Sequence, residues 1–555
     1  EQRTYNENVL RDPVVIDLME FKQWLIVEQC NKWAESVRKV DPNHILFYCN
    51  AHDFTMSWHF LHAFDRARFA FDLVGVGQHD SGHEYPDTPY WARAREYIQN
   101  VASYGPYLKA NGALPIGFCN GEGEGGVTPE GVALYYPNWM ADLFGNSSAA
   151  ALCYHWTHIK PVADQLGEAL RAVQNVPFTY NRDAKVLIMR NTANAFSNAS
   201  GIDFDGARYF ASILYQLHIP FDIVPDADLT YGTEEQFRID INNYDFIFIP
   251  SQYQILPDRT WEILDKWISD PEHAGKRGLV MGMYLPQDSY FNDLEPDQLN
   301  PVFVKLMGTT GYSEYRPTGG LRFEYAAKLG DYDAGDAMEI DLYSGEVGLF
   351  GPGLPDGVES IVKVYGDDEH SLVIRNKVND NYVYSFGFYL GLATNPVWGS
   401  AKQQTPYNKL TGLYRGILAE NGIVAEFEAP DNIGVYISDN KEMVIVKELY
   451  GKKVSTVLKT DEPGLGVYSG ATTILSSDGT VTIERDIEPY HTYYMKRVAD
   501  ILAYQGQVSV QSVVQDSESF VLVTGEGVVE LDIGDIEPVT VRVDGGEAVR
   551  VALGR

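Results

Sequence analysis

The stretch LPIGFCNGEGEGG (114–126) runs seven mostly apolar residues into a glycine-rich, acidic turn. An apolar run of that length, bounded by turn residues, predicts a strand buried on both faces. The glycines that follow allow backbone, and the carboxylates of Glu122 and Glu124, to approach a ligand closely. Outward from this stretch the pattern recurs. HILFYCN (44–50) and FAFDLVGVGQ (69–78) precede it, AAALCYHW (149–156) follows it, and RTYNEN (3–8) is a further short strand. Residues 17–38 carry Leu18, Phe21, Leu25, Trp33 and Val37 near helical spacing, and Asp41-Pro42-Asn43 ends that helix. Residues 88–110 read as another helix. Apolar strands separated by helices predict a parallel sheet covered on its outer face. The expectation is a (β/α)₈ TIM barrel over residues 1–180. Five of its strands are visible where closure needs eight. The N-terminal strands would come from a missing N-terminal segment or from a second chain.

The alternation restarts downstream. AKVLIMR (184–190), PFDIVP (220–225), YDFIFIP (244–250) and RGLVMGM (277–283) read as strands. DGARYFASILYQLHI (205–219) and RTWEILDKWIS (259–269) read as helices. That predicts a doubly wound, flavodoxin-like α/β domain over 181–320. No GxGxxG follows its first strand, and no cysteine lies beyond Cys153, so neither a dinucleotide site nor a thiol nucleophile is expected there. Residues 321–423 read as a β-rich continuation, with NYVYSFGFYLG (381–391) a strand. The helix LTGLYRGILAENG (410–422) is stopped by Asn421-Gly422. Two C-terminal β-sandwich modules are expected, at 424–497 and 498–555.

The formal net charge is −34, from 43 basic and 77 acidic residues. Phosphate recognition needs clustered Lys and Arg, so neither nucleic acid nor an anionic membrane surface is an expected partner. Cys30, Cys49, Cys119 and Cys153 form no CxxC pair, and the histidines form no HExxH, so no metal site is expected. No run reaches the length of a membrane helix, and no signal peptide opens the chain. Localisation therefore stays open among cytoplasmic, periplasmic and secreted. Aromatic content is 13%, with 36 tyrosines. Such rings suit sugar faces, and they equally suit β-rich domains.

Cleaving a glycosidic bond needs an acid on the leaving oxygen and a second carboxylate at the anomeric carbon. Retaining enzymes hold the two about 5–5.5 Å apart. A (β/α)₈ barrel presents carboxylates from the C-terminal ends of different strands. Glu7, after RTYN, and Glu122, after LPIGFCN, occupy two such ends. Asn6 beside Glu7 suits a sugar hydroxyl. Glu124 competes with Glu122 for the nucleophile. The other strand ends carry Asn50, His79, His155 and Trp156, which suit sugar hydroxyls and a ring face. The plain alternatives are a surface Asn-Glu pair and an acidic solvent loop. No cofactor is required, and the expected partner is a carbohydrate. Two other functions stand beside this one. The first is a non-catalytic carbohydrate-binding or scaffold protein on a degenerate barrel. The second is an amidotransferase or peptidase acting through the middle domain, which the missing cysteine disfavours.

YNEN (5–8), VDPNHILFYCN (40–50), FDLVGVGQHD (71–80), PIGFCNGEGEGG (115–126) and ALCYHW (151–156) together resemble the second half of a clan A glycoside hydrolase barrel. The resemblance implies that Asn6-Glu7 ends strand four, with Glu7 the acid/base. It implies that Glu122 after strand seven is the nucleophile and that Trp156 follows strand eight. VLIMRN (186–191), ILYQLHIPFDIVPDADL (213–229) and YDFIFIPSQYQIL (244–256) look like the glutamine-amidotransferase-like trimerisation domain of family 42 β-galactosidases. That implies a homo-oligomer, a trimer, and action on β-galactosides. The resemblance covers roughly residues 1–495. Two departures are visible. The family's long insertion after its Asn-Glu pair is absent, so RTYNENVLRDP also aligns inside that insertion, which would make Glu7 incidental. Asn120 stands where the family's nucleophile is due, which leaves Glu122 and Glu124 in competition. Both suggest a relative rather than a typical lactose-cleaving member; agar- and carrageenan-degrading enzymes also use clan A barrels.

Overall fold

The computed structural model describes residues 13–50, 72–79, 114–120, 140–141, 144–145, 150–153, 163–178, 184–190, 206–226, 240–254, 256–287, 294–315, 320–340, 347–387, 404–448, 452–489, 491–534 and 537–553. Among these the strands form three sheets, of four, eleven and ten strands. Two compact units divide the chain. One comprises Glu1–His79, Ile98–Cys119 and Asn181–Val424; the other comprises Asp80–Tyr97, Asn120–Tyr180 and Ala425–Arg555. No described helix is long and apolar enough to cross a membrane.

Helix α1 (Pro13–Val40) starts on a proline, whose missing N–H costs nothing in a first turn. It leads into β1 (Phe47–Asn50), which pairs in parallel with β2 (Leu73–His79), Phe47 opposite Leu73 and Asn50 opposite Val76. β3 (Leu114–Asn120), β4 (Ala150–Cys153) and helix α2 (Ala163–Val173) follow. The sheet order is β1-β2-β3-β4, each strand beside its successor, as in an arc of a barrel. These are four of the eight strands a closed barrel needs; RTYNEN and the helix expected at 88–110 lie outside the described residues.

Both early strands begin later than their apolar runs, for local reasons. Residues 41–44 are taken by a turn in which the Asn43 N–H donates to the Asp41 carboxylate at 3.1 Å. Asp72 interrupts FAFDLVGVGQ to act as a clamp. Its carboxylate accepts from the Leu46 N–H (2.8 Å) and from the Arg38 guanidinium (2.8 Å), while its own N–H donates to the Leu46 carbonyl (3.0 Å). One side chain thus joins the end of α1, the approach to β1 and the start of β2. The hydrogen bond from the Leu46 N–H, then that from the Arg38 guanidinium, hold the Asp72 carboxyl below the usual carboxylate range. A group whose pKa falls on folding stabilises the fold above its unfolded value, and that stabilisation is lost as pH falls through the folded one. Asp72→Asn is therefore expected to lower the urea midpoint at pH 7. The loss should be no more than about 1 kcal/mol, because the pair is part-exposed and screened. Midpoints of the two proteins should converge on acidification through the carboxylate range. A difference unchanged at low pH would reject the clamp.

The middle of the chain forms β5 (Val186–Arg190), α3 (Gly206–Gln216), β6 (Phe221–Pro225), β7 (Phe246–Gln254), α4 (Asp258–Ile268), β8 (Gly278–Gln287) and α5 (Pro301–Met307). The strand Asn381–Phe386 then pairs with β8 in parallel. The parallel order is β6-β5-β7-β8 followed by 381–386, the 2-1-3-4-5 order of flavodoxin-like folds. Strands between residues 312 and 378 extend the same sheet in antiparallel fashion, so it runs unbroken across the boundary expected at 320/321. Stop and start signals act as their chemistry dictates. The Asn300 side chain caps α5 by accepting from the N–H groups of Val302 and Phe303, and Gly308 ends it at φ +84°. Asn379 and Asp380, both at positive φ, make the tight turn into Asn381–Phe386.

Helix α6 (Gln404–Glu420) packs on this sheet through Tyr414, whose ring contacts Phe248 and Phe386 of the strands and Phe210 of α3. Gly412 and Gly416 lie where α6 meets the turn Leu329–Tyr332. A Cβ on Gly416 would sit 2.8 Å from the Leu329 side chain and 3.2 Å from the Gly330 backbone. At the helix end, Glu420 accepts from Tyr384 (2.6 Å) and from Arg375 (2.5 Å).

The C-terminal sheet differs from the expected pair of modules. One strand, Thr492–Gln515, crosses the boundary drawn at 497/498. Its first residues pair with Met443–Lys447, and from Asp500 onward it pairs with Glu518–Asp532 through a turn at Asp516-Ser517. A single apolar core holds Ile433, Val444, Leu458, Ile483, Val508, Val529 and Val541 from both sides of that boundary.

Candidate active site

In a parallel β/α sheet the C-terminal strand ends gather on one side, and the segments leaving them carry the chemistry. β1 ends on Asn50 and β2 on His79. Because Asn50 stands opposite Val76, β2 runs three residues further, about 10 Å at the rise of a strand. β3 ends on Asn120, two residues before Glu122, and β4 on Cys153, two before His155. The LPIGFCN run and β3 coincide residue for residue. Asn6, Glu7, Glu122, Glu124, His155 and Trp156 lie outside the described residues, as do the side chains of Asn50 and His79.

Two features that hold these strand ends were not anticipated from sequence. The Asp72 clamp fixes the mutual register of β1 and β2 from their N-terminal side, so it sets the levels at which Asn50 and His79 emerge. Its signal was an aspartate interrupting an apolar run. The second feature flanks β4, within the unit that contains it. Met140 and Ala141 are fully buried, and a Cβ on Gly145 would overlap the Tyr436 ring. Asp439 donates its N–H to the Pro177 carbonyl at 2.8 Å. Tyr436 of the strand Ile433–Ile437 and the Asp439 backbone after it thus touch described segments before and after β4. Lys447 in that sheet is fully buried, its ammonium 6.0 Å from the Tyr436 ring, and the buried Glu448 accepts from Asn432 at 2.9 Å. No local pattern announces either charge, since both lie in a strand of otherwise apolar residues.

No family model and no curated protein matches the sequence. Solved structures do match in shape. A β-galactosidase from Bacillus circulans sp. alkalophilus superposes with a TM-score of 0.57 at 12% identity, covering 87% of this chain and 68% of its own. A β-galactosidase from Rahnella sp. R3 gives 0.58 at 10% identity, with the same coverage. At such identity the likeness is one of fold. The chain has a glycoside-hydrolase-like fold, α/β in its first part and β-sheet at its C-terminus.

Proposed function

We propose that the protein is a retaining glycoside hydrolase cleaving β-galactosidic linkages in an oligo- or polysaccharide. The observation that carries the reading is the β1-β2-β3-β4 arc, whose strands each run into acidic, amide or ring-bearing residues, in a chain folded like two β-galactosidases. In the proposed reaction Glu122 attacks the anomeric carbon as the bond to the leaving oxygen breaks, and the Glu7 carboxyl gives its proton to that oxygen. The Glu7 carboxylate then takes a proton from water, whose oxygen displaces Glu122 from the sugar. Asn6, Asn50, His79, Glu124 and His155 hold sugar hydroxyls, and Trp156 lies under the ring. The two β-galactosidases support the choice of sugar; agar- or carrageenan-type galactans are natural extensions. The middle α/β domain, through its resemblance to a trimerisation domain, supports a homotrimer.

The test is a panel of nitrophenyl glycosides and galactan oligosaccharides, followed by proton NMR of the first product. Release of the β-anomer from a β-galactoside is expected. The α-anomer first would mean an inverting mechanism. Binding without release would mean a carbohydrate-binding protein on a degenerate barrel.

A further inference from the structure

We propose that Arg485, Tyr493 and His491 form a binding site in the C-terminal sheet for a sugar residue that carries an oxyanion, a sulfate or a carboxylate. The choice of a sugar rests on the carbohydrate reading above; the choice of an oxyanion does not. Arg485 stands on the strand Val481–Ile487. The pairing of this strand shifts register between Thr456 opposite Glu484 and Val454 opposite Ile487, so the irregularity falls at Arg485. Bulges of this kind re-aim a side chain. The guanidinium lies over the Tyr493 ring, 4.2 Å from its centroid, and its Nη1 donates to the Ser469 carbonyl at 3.0 Å. Gly470 closes in beside it at φ +67°, where a Cβ would come within 2.6 Å of Nη1. Ring, carbonyl and turn together hold the planar fork in one orientation.

What the fork lacks is a counter-charge. Arg38, Arg277, Arg375, Arg497 and Arg550 each reach a carboxylate. Arg485 reaches none among the described residues, although the chain has 77 acidic residues against 43 basic ones. Asp486 and Glu488 close by are both engaged by Lys453, at 3.3 and 3.1 Å. Burial accordingly lowers the Arg485 pKa, and the group acting against that is Tyr493 rather than a carboxylate. A half-buried charge without a counter-ion is costly to keep. Nε and Nη2, the edge of the fork turned away from Ser469, donate to no described residue, and they are not enclosed as the Nε atoms of Arg277 and Arg497 are. That edge is the one that grips a carboxylate or sulfate through two parallel bonds. His491 makes the occupant a sugar rather than a bare ion. Its exposed ring lies 6.2 Å from that of Tyr493 at 25°, so the two form a nearly flat shelf. Its Nδ1 donates to the Pro489 carbonyl at 2.8 Å, which leaves Nε2 to accept from a hydroxyl.

The test is isothermal titration calorimetry on the 555-residue chain at low ionic strength. Four probes are compared: a κ-carrageenan tetrasaccharide, the same tetrasaccharide desulfated, trigalacturonate, and sodium sulfate. At least one charged sugar is expected to bind about tenfold or more tighter than the desulfated one, and to lose that advantage as salt is added. Whichever charged sugar does so identifies the substituent. Arg485→Gln should abolish the difference, with far-UV circular dichroism checking its fold. Arg485→Lys keeps the charge but not the fork, and should restore only part of it. His491→Ala changes an exposed side chain, so it tests the shelf even if Arg485→Gln fails to fold; it should weaken charged and desulfated sugars alike. Equal affinity for charged and desulfated sugars overturns the proposal, as does a preference that survives Arg485→Gln. Sodium sulfate binding as tightly as the better sugar overturns it in favour of a simple anion site, and no binding of any probe overturns it outright. None of these readouts needs turnover. A preference for charge without hydrolysis would sink the catalytic reading alone, and hydrolysis of neutral galactosides without that preference would sink this site alone.

Discussion

Glu122→Gln is expected to lower kcat/KM on a nitrophenyl β-galactoside by about 10⁴-fold or more while leaving the fold intact. The amide keeps the size of the carboxylate but loses the charge that opposes the oxocarbenium-like transition state and the oxygen that bonds to the sugar. A 10⁴-fold loss corresponds to about 5.5 kcal/mol of transition-state stabilisation, a magnitude reasonable for removal of a nucleophile. The fold should tolerate the change because Glu122 comes two residues after the end of β3, in a glycine-rich stretch of sequence. Glu124→Gln, made in parallel, should cost less than about tenfold, as for a residue that only binds a hydroxyl. If Glu124→Gln carries the large loss, the nucleophile is Glu124. If neither does, this turn does not supply the nucleophile. Glu7→Gln should separate from both by its dependence on the leaving group. An acid matters little when nitrophenolate departs and by about 10²–10⁴-fold when a sugar alkoxide must be protonated.

Much of the α/β architecture was legible because it rests on short-range pattern. LPIGFCN is a strand to the residue, and the middle-domain strands lie within their apolar runs or extend a few residues past them. What was not legible depends on distant partners. The spacing of Leu18 to Val37 identifies a helix, but those residues stay exposed, and the side turned inward carries Cys30 and Ala34, with Arg38 reaching Asp72, 34 residues away. The boundary at 497/498 fell inside one strand because a strand can change partners along its length without any break in its own pattern. The candidate site sits at the same limit. Strand ends can be read one at a time, and this placed Asn50, His79 and the approach to Glu122 at chain exits. Convergence of Glu7 with Glu122 depends on how the sheet closes, which no local residue encodes. Lys447 was invisible for a related reason. It shares its face of the strand with the buried Met443 and Ile445, and those apolar neighbours give no sign that a charge follows them into the interior.

The largest loss of stability is expected from Trp261→Ala, about 3–5 kcal/mol, read as a lowered urea midpoint by far-UV circular dichroism. Trp261 lies on α4 with no exposed surface, 5.0 Å from the Phe303 ring of α5, in a core shared with Leu187, Ile247, Leu279 and Leu306. Two effects compete at this position. The ring buries a large apolar area, and removing it leaves a cavity between helix and sheet that rigid strands cannot collapse. Against that, the indole N–H has no hydrogen-bond partner among the described residues, a cost of about 1–3 kcal/mol that any replacement without a donor removes. Trp261→Phe separates them. It keeps most of the buried ring and deletes the orphan donor, so its midpoint should fall within about 1 kcal/mol of the parent. Trp261→Phe as damaging as Trp261→Ala would mean that the N–H is satisfied and that burial of the ring alone does not set the stability. Trp33→Ala supplies the contrast. In the 555-residue chain that ring is 60% exposed, and its loss should change the midpoint by no more than about 0.5 kcal/mol.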